Sequence, residues 1–204
     1  MGKEAKLIII QLIVVFIVIF MILPMLDDEE VVSIPEPYQK QLNYNAANTF
    51  IHNGRKSEVT IEKLAEYKIS AVVKGKRYYL FDVPSEVSPM DLILVWGKMD
   101  TEEMDKYINY SQSGRWYYFS YDCGSCVDGD YLRKNSANVH IIPKNLEVLK
   151  KLIQVRKEDY ITLKGYLVLV HFTENEWKSS LSRKDTGNGA CEIMYVENVT
   201  VIKQ

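Results

Sequence analysis

Apolar residues form one uninterrupted block near the N-terminus of this chain. Residues 7–26 read LIIIQLIVVFIVIFMILPML, twenty positions of which Gln11 is the single strongly polar one and none is charged. A helix of twenty residues rises about 30 Å, which matches the hydrocarbon core of a lipid bilayer. The pattern therefore predicts one transmembrane helix over residues 7–26.

The charges on either side of this block predict its orientation. Lys3 and Lys6 precede it, and four acidic residues follow it at positions 27–30. Because lysines favour the cytoplasmic side, residues 1–6 are expected in the cytoplasm and the C-terminal part in the periplasm or outside the cell. No A-x-A-like site lies near residues 24–30, so an uncleaved signal anchor is favoured over a cleaved signal peptide.

The part of the chain after the anchor divides in two. Residues 27–57 show no sustained periodicity and contain Pro35 and Pro37, which predicts a juxtamembrane stalk. From residue 58 the apolar positions become regular, and residues 58–204 are expected to form a single extracytoplasmic domain.

Alternation of apolar and polar residues dominates this second part and predicts strands. Lys74, Gly75 and Lys76 separate two such runs and predict a hairpin turn there. The segment LILVW is compatible with a strand or with a helix that starts at Ser88. The predicted strands are residues 67–73, 77–82, 116–121, 139–142, 160–172 and 192–202.

Helix signals are fewer. Thr101 followed by acidic residues predicts a short helix to residue 108, and a 3.6-residue apolar period predicts another from about Lys144. The fold class expected is therefore α+β and β-rich, with two or three short helices after one transmembrane helix. The strands are expected to form one small sheet or a partly closed barrel of the OB or SH3-like kind, with Gly165 at a bend.

Composition and charge narrow the function classes. The chain carries 25 Lys+Arg and 27 Asp+Glu, a net charge of −2, so nucleic acid is not expected as a partner. Histidines and cysteines number three each, never occur in H-x3-H spacing and form only one C-x-x-C pair, so neither a metal nor a cofactor is expected.

Three polar loops carry the candidate ligand-binding residues: Ser111–Trp116, Asn135–His140 and Ser179–Glu192. Ser179–Glu192 contains two glycines whose backbone N–H groups could converge on an anion, and a guanidinium nearby could pair with a carboxylate or phosphate. A polar hairpin with no ligand is the other interpretation. If one end of the sheet gathers the three loops, five side chains line one cleft: Arg115, Asn138, His140, Arg183 and Asp185.

Catalytic chemistry has weaker support. His140, Cys191 and Asp185 would formally complete a cysteine–histidine–aspartate set, but no local nucleophile signature accompanies them. No residue is therefore predicted to be catalytic.

Cys123 and Cys126 form the single C-x-x-C pair of the chain. A redox pair normally lies at the N-terminus of a helix, whereas acidic residues and a glycine follow this pair. In an oxidising compartment a disulfide between the two is expected, while a redox-active pair and half of a metal site remain the alternatives.

Several separated strings are similar to those of a known group of proteins. SPMDLILVWGKM, SQSGRWYY, SANVHIIP, VRKEDYITLKGYLV and SSLSRKDTGNGACE occur here in that order, between about Leu64 and Val201. They resemble a set of bacterial membrane-anchored proteins of uncharacterised function. The resemblance implies a bacterial source and one domain outside the cytoplasm, and it implies no activity. Cys123 and Cys126 are not part of the shared pattern.

Together these features predict a membrane-tethered extracytoplasmic binding or accessory module of the bacterial envelope. Its partners would be the bilayer, through residues 7–26, and another envelope protein or a small polar ligand. The alternative is an envelope enzyme, hydrolytic at the loops of His140 and Cys191 or active in thiol–disulfide exchange at Cys123 and Cys126.

Overall fold

The computed structural model describes residues 33–99, 101–122, 127–182 and 190–202. Its strands are β1 (Tyr38–Gln41), β2 (Thr49–Asn53), β3 (Glu58–Tyr78), β4 (Met90–Val95), β5 (Ile108–Ser113), β6 (Trp116–Tyr121), β7 (Ser136–Pro143), β8 (Tyr160–His171), β9 (Glu176–Lys178) and β10 (Glu192–Ile202). Its α-helices are α1 (Glu102–Asp105), α2 (Gly129–Lys134) and α3 (Leu146–Gln154). Within these ranges the domain is β-rich, as predicted.

Five strands pair in a ring. The hydrogen-bonded order is β3, β4, β7, β10 and β8, and β8 pairs again with β3. The β7 and β10 pair is parallel, whereas the other four pairs of the ring are antiparallel. The ring is partial. Strand β3 pairs with β4 through Val72–Tyr78 and with β8 through Thr60–Val72, so its two halves have different partners. One long strand therefore joins the two sides of a mixed sheet.

The hairpin predicted around Lys74, Gly75 and Lys76 is wrong. These residues belong to β3, which runs without a turn and shifts register against β4 between Val73 and Gly75. A Cβ atom on Gly75 would lie 2.7 Å from Cδ1 of Ile93, so the glycine permits close approach of β4. The local glycine signal therefore marks a bulge in a curved strand rather than a reversal of the chain.

The second glycine singled out from the sequence also lies at a close approach. A Cβ atom on Gly165 would lie 1.9 Å from the carbonyl oxygen of Tyr195, on the neighbouring strand β10. The β8 and β10 register shifts next to this point, between Val196 and Asn198. Any side chain at position 165 would force these two strands apart.

The strand and helix predictions after residue 88 agree with the structure in most places. The residues LILV lie in β4, all six residues of which are buried, and Trp96 follows the strand, so the strand alternative is the correct one. Helix α3 begins after Asn145, whose side chain accepts a hydrogen bond from the backbone of Val148. Helix α1 is a single turn, shorter than predicted.

The predicted stalk contains ordered strands in its described part. β1 and β2 both pair antiparallel with β3, and Ile34 forms an isolated bridge with Gly97. Asn45 caps a 3-10 helix, Ala46–Asn48, between the two strands. Residues 33–53 therefore pack on the domain that follows them.

Two apolar clusters lie on opposite faces of the ring strands. The first takes side chains from all five, for example Leu92, Val139, Leu163 and Met194, and extends to Ile108 at the start of the β5–β6 hairpin. The second covers the outer face of β7 and β10, including Ile193, with residues from the outer part of β3 and β8. Polar residues of β4 and β7 on this outer face alternate with the interior ones.

None of the helices in the described ranges is long and apolar enough to cross a bilayer. The predicted anchor, residues 7–26, lies outside those ranges.

Candidate functional site

The turn of the β5–β6 hairpin places Arg115 against the outer face of the ring of strands, at β4. The two strands pair from Ile108 and Tyr121 to Ser113 and Trp116, which leaves a two-residue turn of Gly114 and Arg115. Their φ angles are 57° and 72°, the positive values that a type I′ turn requires. A positive φ at a residue other than glycine costs of order 1–3 kcal/mol, so other contacts must hold Arg115 in place.

The guanidinium of Arg115 uses all five of its N–H donors within the chain. Nε and Nη2 donate to the two carboxylate oxygens of Asp82, at 2.6 and 3.0 Å. Nη1 donates to Oδ1 of Asp91 at 2.6 Å and to Oγ of Ser88 at 3.3 Å, and Nη2 donates to the Ser88 carbonyl at 2.8 Å. The group also lies 3.8 Å from the ring centre of Tyr79. No donor of this side chain remains for a ligand.

Asp91 is the buried acceptor at the centre of the cluster. It lies in β4 with 0 % exposure, on the outer face between Met90 and Leu92, which point into the ring. Its second oxygen, Oδ2, accepts a bond from Nδ2 of Asn138 at 3.4 Å. A buried carboxylate needs such partners, because desolvation of an unpaired charge costs several kcal/mol.

Three further contacts attach the inner face of the hairpin to β7. Nε2 of Gln112 donates to Oδ1 of Asn138 at 2.8 Å, and Nδ2 of Asn138 donates to the Arg115 carbonyl at 3.0 Å. The hydroxyls of Tyr117 and Ser136 lie 3.1 Å apart. The hairpin therefore covers the outer face of β4 and β7.

His140 also lies on this face, under the ring of Trp177. Nδ1 of His140 is 2.9 Å from Oδ1 of Asp91, but its N–H direction does not point at a hydrogen-bond acceptor. This contact is therefore a close approach rather than an aligned hydrogen bond. The His140 and Trp177 ring centres lie 4.8 Å apart, and 3 % of His140 is exposed. A substrate could not reach this imidazole without displacing its neighbours.

Hydrogen bonds and charges within the cluster favour the charged forms of Asp82 and Arg115. Burial by itself would raise the pKa of the Asp82 carboxyl, but bonds from Arg115 and Ser85 outweigh burial and lower the pKa. Burial would likewise lower the pKa of Arg115, and the bonds to Asp82 and Asp91 outweigh it and raise the pKa. Arg115 is therefore a permanent cation held by two carboxylates.

The structure brings together three of the five predicted site residues: Arg115, Asn138 and His140. Arg183 and Asp185 lie outside the described residues, as do Cys123 and Cys126. Asp91 was missed, although a charged residue inside the apolar string MDLILV is a detectable signal. Asp82 and Gln112 carry no comparable signal in the sequence.

Cys191 immediately precedes β10, the strand in which Ile193 is opposite His140 in the parallel pair. The backbone N–H of Ser180 donates to the Cys191 carbonyl at 3.1 Å. Cys191 is half-buried.

The accessible surface around this cluster is rich in exposed apolar side chains. Of the thirteen large apolar residues that are exposed in the described ranges, seven fall on the hairpin, on the loop that holds Asp82 or at the end of β3 directly before that loop. Phe81 is 97 % exposed, although it is next to the ion pair. The seven are Tyr78, Leu80, Phe81, Val83, Trp116, Tyr118 and Tyr121.

Across the described residues, no group of three or more histidines, cysteines and carboxylates is arranged to hold a metal ion. No family model, no curated protein and no solved structure matches this chain. Function must therefore be inferred from geometry and chemistry alone.

Proposed function

We propose that the ring is an OB-type barrel and that the protein is a membrane-tethered, extracytoplasmic binding module. Numbered in chain order, the ring strands pair as first, second, third, fifth, fourth and first again, with the third and fifth parallel. Helix α3 lies between the third and fourth. This order is the arrangement of an OB barrel, a five-stranded Greek-key barrel that is partly open.

The location of the polar cluster supports a binding role. OB barrels take their ligands on the face of the second and third strands, between the loops that join strands one to two and four to five. Here these strands are β4 and β7, and they carry Asp91, Asn138 and His140 on the outer face. The first loop supplies Asp82, and the second contains Trp177.

One observation carries the proposal: the face where an OB barrel binds its ligand is covered by a hairpin whose tip is held by five hydrogen bonds from Arg115. A rigidly held hairpin reduces the entropy that a binding surface loses on association. The exposed apolar residues of the hairpin and the neighbouring loop then form the accessible surface.

Tethering remains an inference from the sequence. The apolar segment 7–26, the two lysines before it and the acidic run after it support a single anchor with the domain outside the cytoplasm. An alkaline phosphatase fused after residue 204 should be active in this orientation. A β-galactosidase fused at the same place should be inactive, and the reverse pattern would refute the orientation.

Site-specific photocrosslinking in membranes tests the binding role. A photoreactive phenylalanine analogue at Phe81 should give one discrete adduct with an envelope component, because this side chain lies on the proposed surface. The same analogue at Tyr44, which is 83 % exposed in the β1–β2 connection, is the matched control. An identical adduct pattern at both positions would refute a binding surface at the hairpin and loop.

A hydrolase at His140 and Cys191 is the second candidate. It is favoured by the carboxylate of Asp91 2.9 Å from Nδ1 of His140, the place of the orienting acid in catalytic triads, and by Cys191 directly before the strand that pairs with β7. The burial of His140 favours binding over hydrolysis. If Cys191→Ala leaves the crosslinking unchanged, the thiol is not needed for binding.

A further inference from the structure

The outward face of the β5–β6 hairpin carries two aromatic side chains that are not needed to attach the hairpin to the ring strands. Tyr110, Tyr117 and Phe119 point inward, where Tyr110 and Phe119 pack against the main apolar cluster. Their neighbours Trp116 and Tyr118 point outward, with 39 % and 53 % of their surface exposed. Since the inner residues already attach the hairpin, the two outer rings are available to a ligand.

Small polar residues accompany the two rings. Ser113 pairs with Trp116 and Ser111 with Tyr118 across the hairpin, so a hydroxyl lies beside each ring at about 5 Å between Cβ atoms. Trp116 and Tyr118 are two positions apart on one strand, which separates them by about 7 Å. The next pair on this face, farther from the turn, is Asn109 with Ser120. The face therefore alternates flat apolar surfaces with hydroxyl and amide groups.

Among the described residues, the hairpin itself places no charged side chain on this face. Arg115 is the single charged residue between Ile108 and Tyr121, and its guanidinium is turned inward with every donor used. Single-stranded nucleic acids also stack on exposed aromatic rings, but their binding needs cations along the phosphate backbone. Arg77 of β3 donates from Nη1 to the Gln112 carbonyl at the edge of the hairpin. The hairpin residues themselves offer an acidic ligand no cation, since every donor of Arg115 is used. The charge balance of the face matches an uncharged ligand.

We propose that this face, defined by Ser111, Ser113, Trp116 and Tyr118, binds an uncharged oligosaccharide chain. A pyranose ring presents an apolar C–H face that stacks on an aromatic ring, while its hydroxyl and acetamido groups exchange hydrogen bonds with serine and asparagine side chains. The bonds of Arg115 hold in one position the hairpin that carries the two rings, which lowers the entropic cost of binding. The proposal rests on the binding role inferred above and names the ligand class.

Calorimetry on the full-length protein in detergent micelles provides the test, with the β-1,4-linked hexamer of N-acetylglucosamine as the probe. The wild-type protein should bind the hexamer, and Trp116→Ala and Tyr118→Ala should each weaken binding by about tenfold or more, as expected for the loss of one stacked ring. Tyr118→Phe keeps the ring and should retain most of the affinity. Tyr44→Ala removes a more exposed aromatic ring elsewhere and should change nothing.

Three results would overturn the proposal. They are the absence of hexamer binding by the wild-type protein at millimolar concentration, equal weakening by Tyr44→Ala, and tighter binding of a twelve-nucleotide single-stranded RNA through the same two rings. Thermal melts of both variants should match the wild type, which excludes misfolding as the cause of lost binding. A discrete adduct from Phe81 without hexamer binding would refute the sugar ligand alone and leave the binding module standing.

Discussion

Nη1 of Arg115 lies 2.6 Å from Oδ1 of Asp91, and this contact joins the tip of a hairpin to a fully buried position in β4. The two residues are 24 positions apart in the chain. Buried ion pairs contribute little net stability, because desolvation offsets their attraction. Removing one member is costly, however, since the other charge then stays buried without a partner. The pair therefore acts mainly to keep the hairpin in one position.

Asp91→Ala should lower the free energy of unfolding by about 3–5 kcal/mol, because it leaves Arg115 without its buried acceptor. Asp82→Asn is the matched control at the other carboxylate, whose side chain is 35 % exposed, and water can replace part of the lost contact. The control should cost about 1 kcal/mol or less. Urea denaturation of both variants measures the difference. Equal losses would mean that burial of Asp91 does not determine the strength of this contact.

Gly165→Ala should destabilise the domain by about 2 kcal/mol or more, since the new Cβ would meet the Tyr195 carbonyl at 1.9 Å. Gly114→Ala is the companion variant. Its Cβ would meet no atom within 4 Å, and the cost there comes from the positive φ of 57°, about 1 kcal/mol. Thermal unfolding should rank Gly165→Ala as the more damaging change. The opposite ranking would show that β8 and β10 can separate at little cost.

Stability should fall in acid partly through Asp82. Its pKa is lowered in the folded protein from the ordinary value of 3.8, so the unfolded chain binds the proton more readily. The contribution is therefore fully present above pH 3.8 and is lost as the pH falls through the lower folded value. Asp82→Asn should lose less stability than the wild type over that acid range. Denaturation curves at several pH values measure this, and parallel acid losses in both proteins would contradict it.

A disulfide between Cys123 and Cys126 remains a prediction, since both residues lie outside the described ranges. Alkylation under denaturing, non-reducing conditions followed by intact-mass measurement should add one label, at Cys191. The fully reduced protein should add three labels and serves as the control. Three labels without reductant would exclude the disulfide.

The sequence by itself determined the elements whose signals are local. The apolar period of α3 and the cap at Asn145 lie within a few residues of each other, and the alternation in β6, β8 and β10 needs only the strand itself. Even so, the prediction of a turn at Lys74–Gly75–Lys76 is wrong, because these residues lie within β3. A bulge and a turn share the same glycine signal, and the distant strand β4 decides between them.

The tertiary structure alone decided the ring and the cluster on its outer face. β3 reaches β8 across about 90 positions of the chain, and such pairing depends on which faces can be buried together rather than on neighbouring residues. Arg115, Asn138 and His140 were predicted to meet, but their common partner Asp91 appeared only with the fold. The sequence predicts that the Arg115 guanidinium contacts a ligand, but every one of its donors is used within the chain. The hairpin turn directs it onto the carboxylates of Asp82 and Asp91, which are far from it in the sequence.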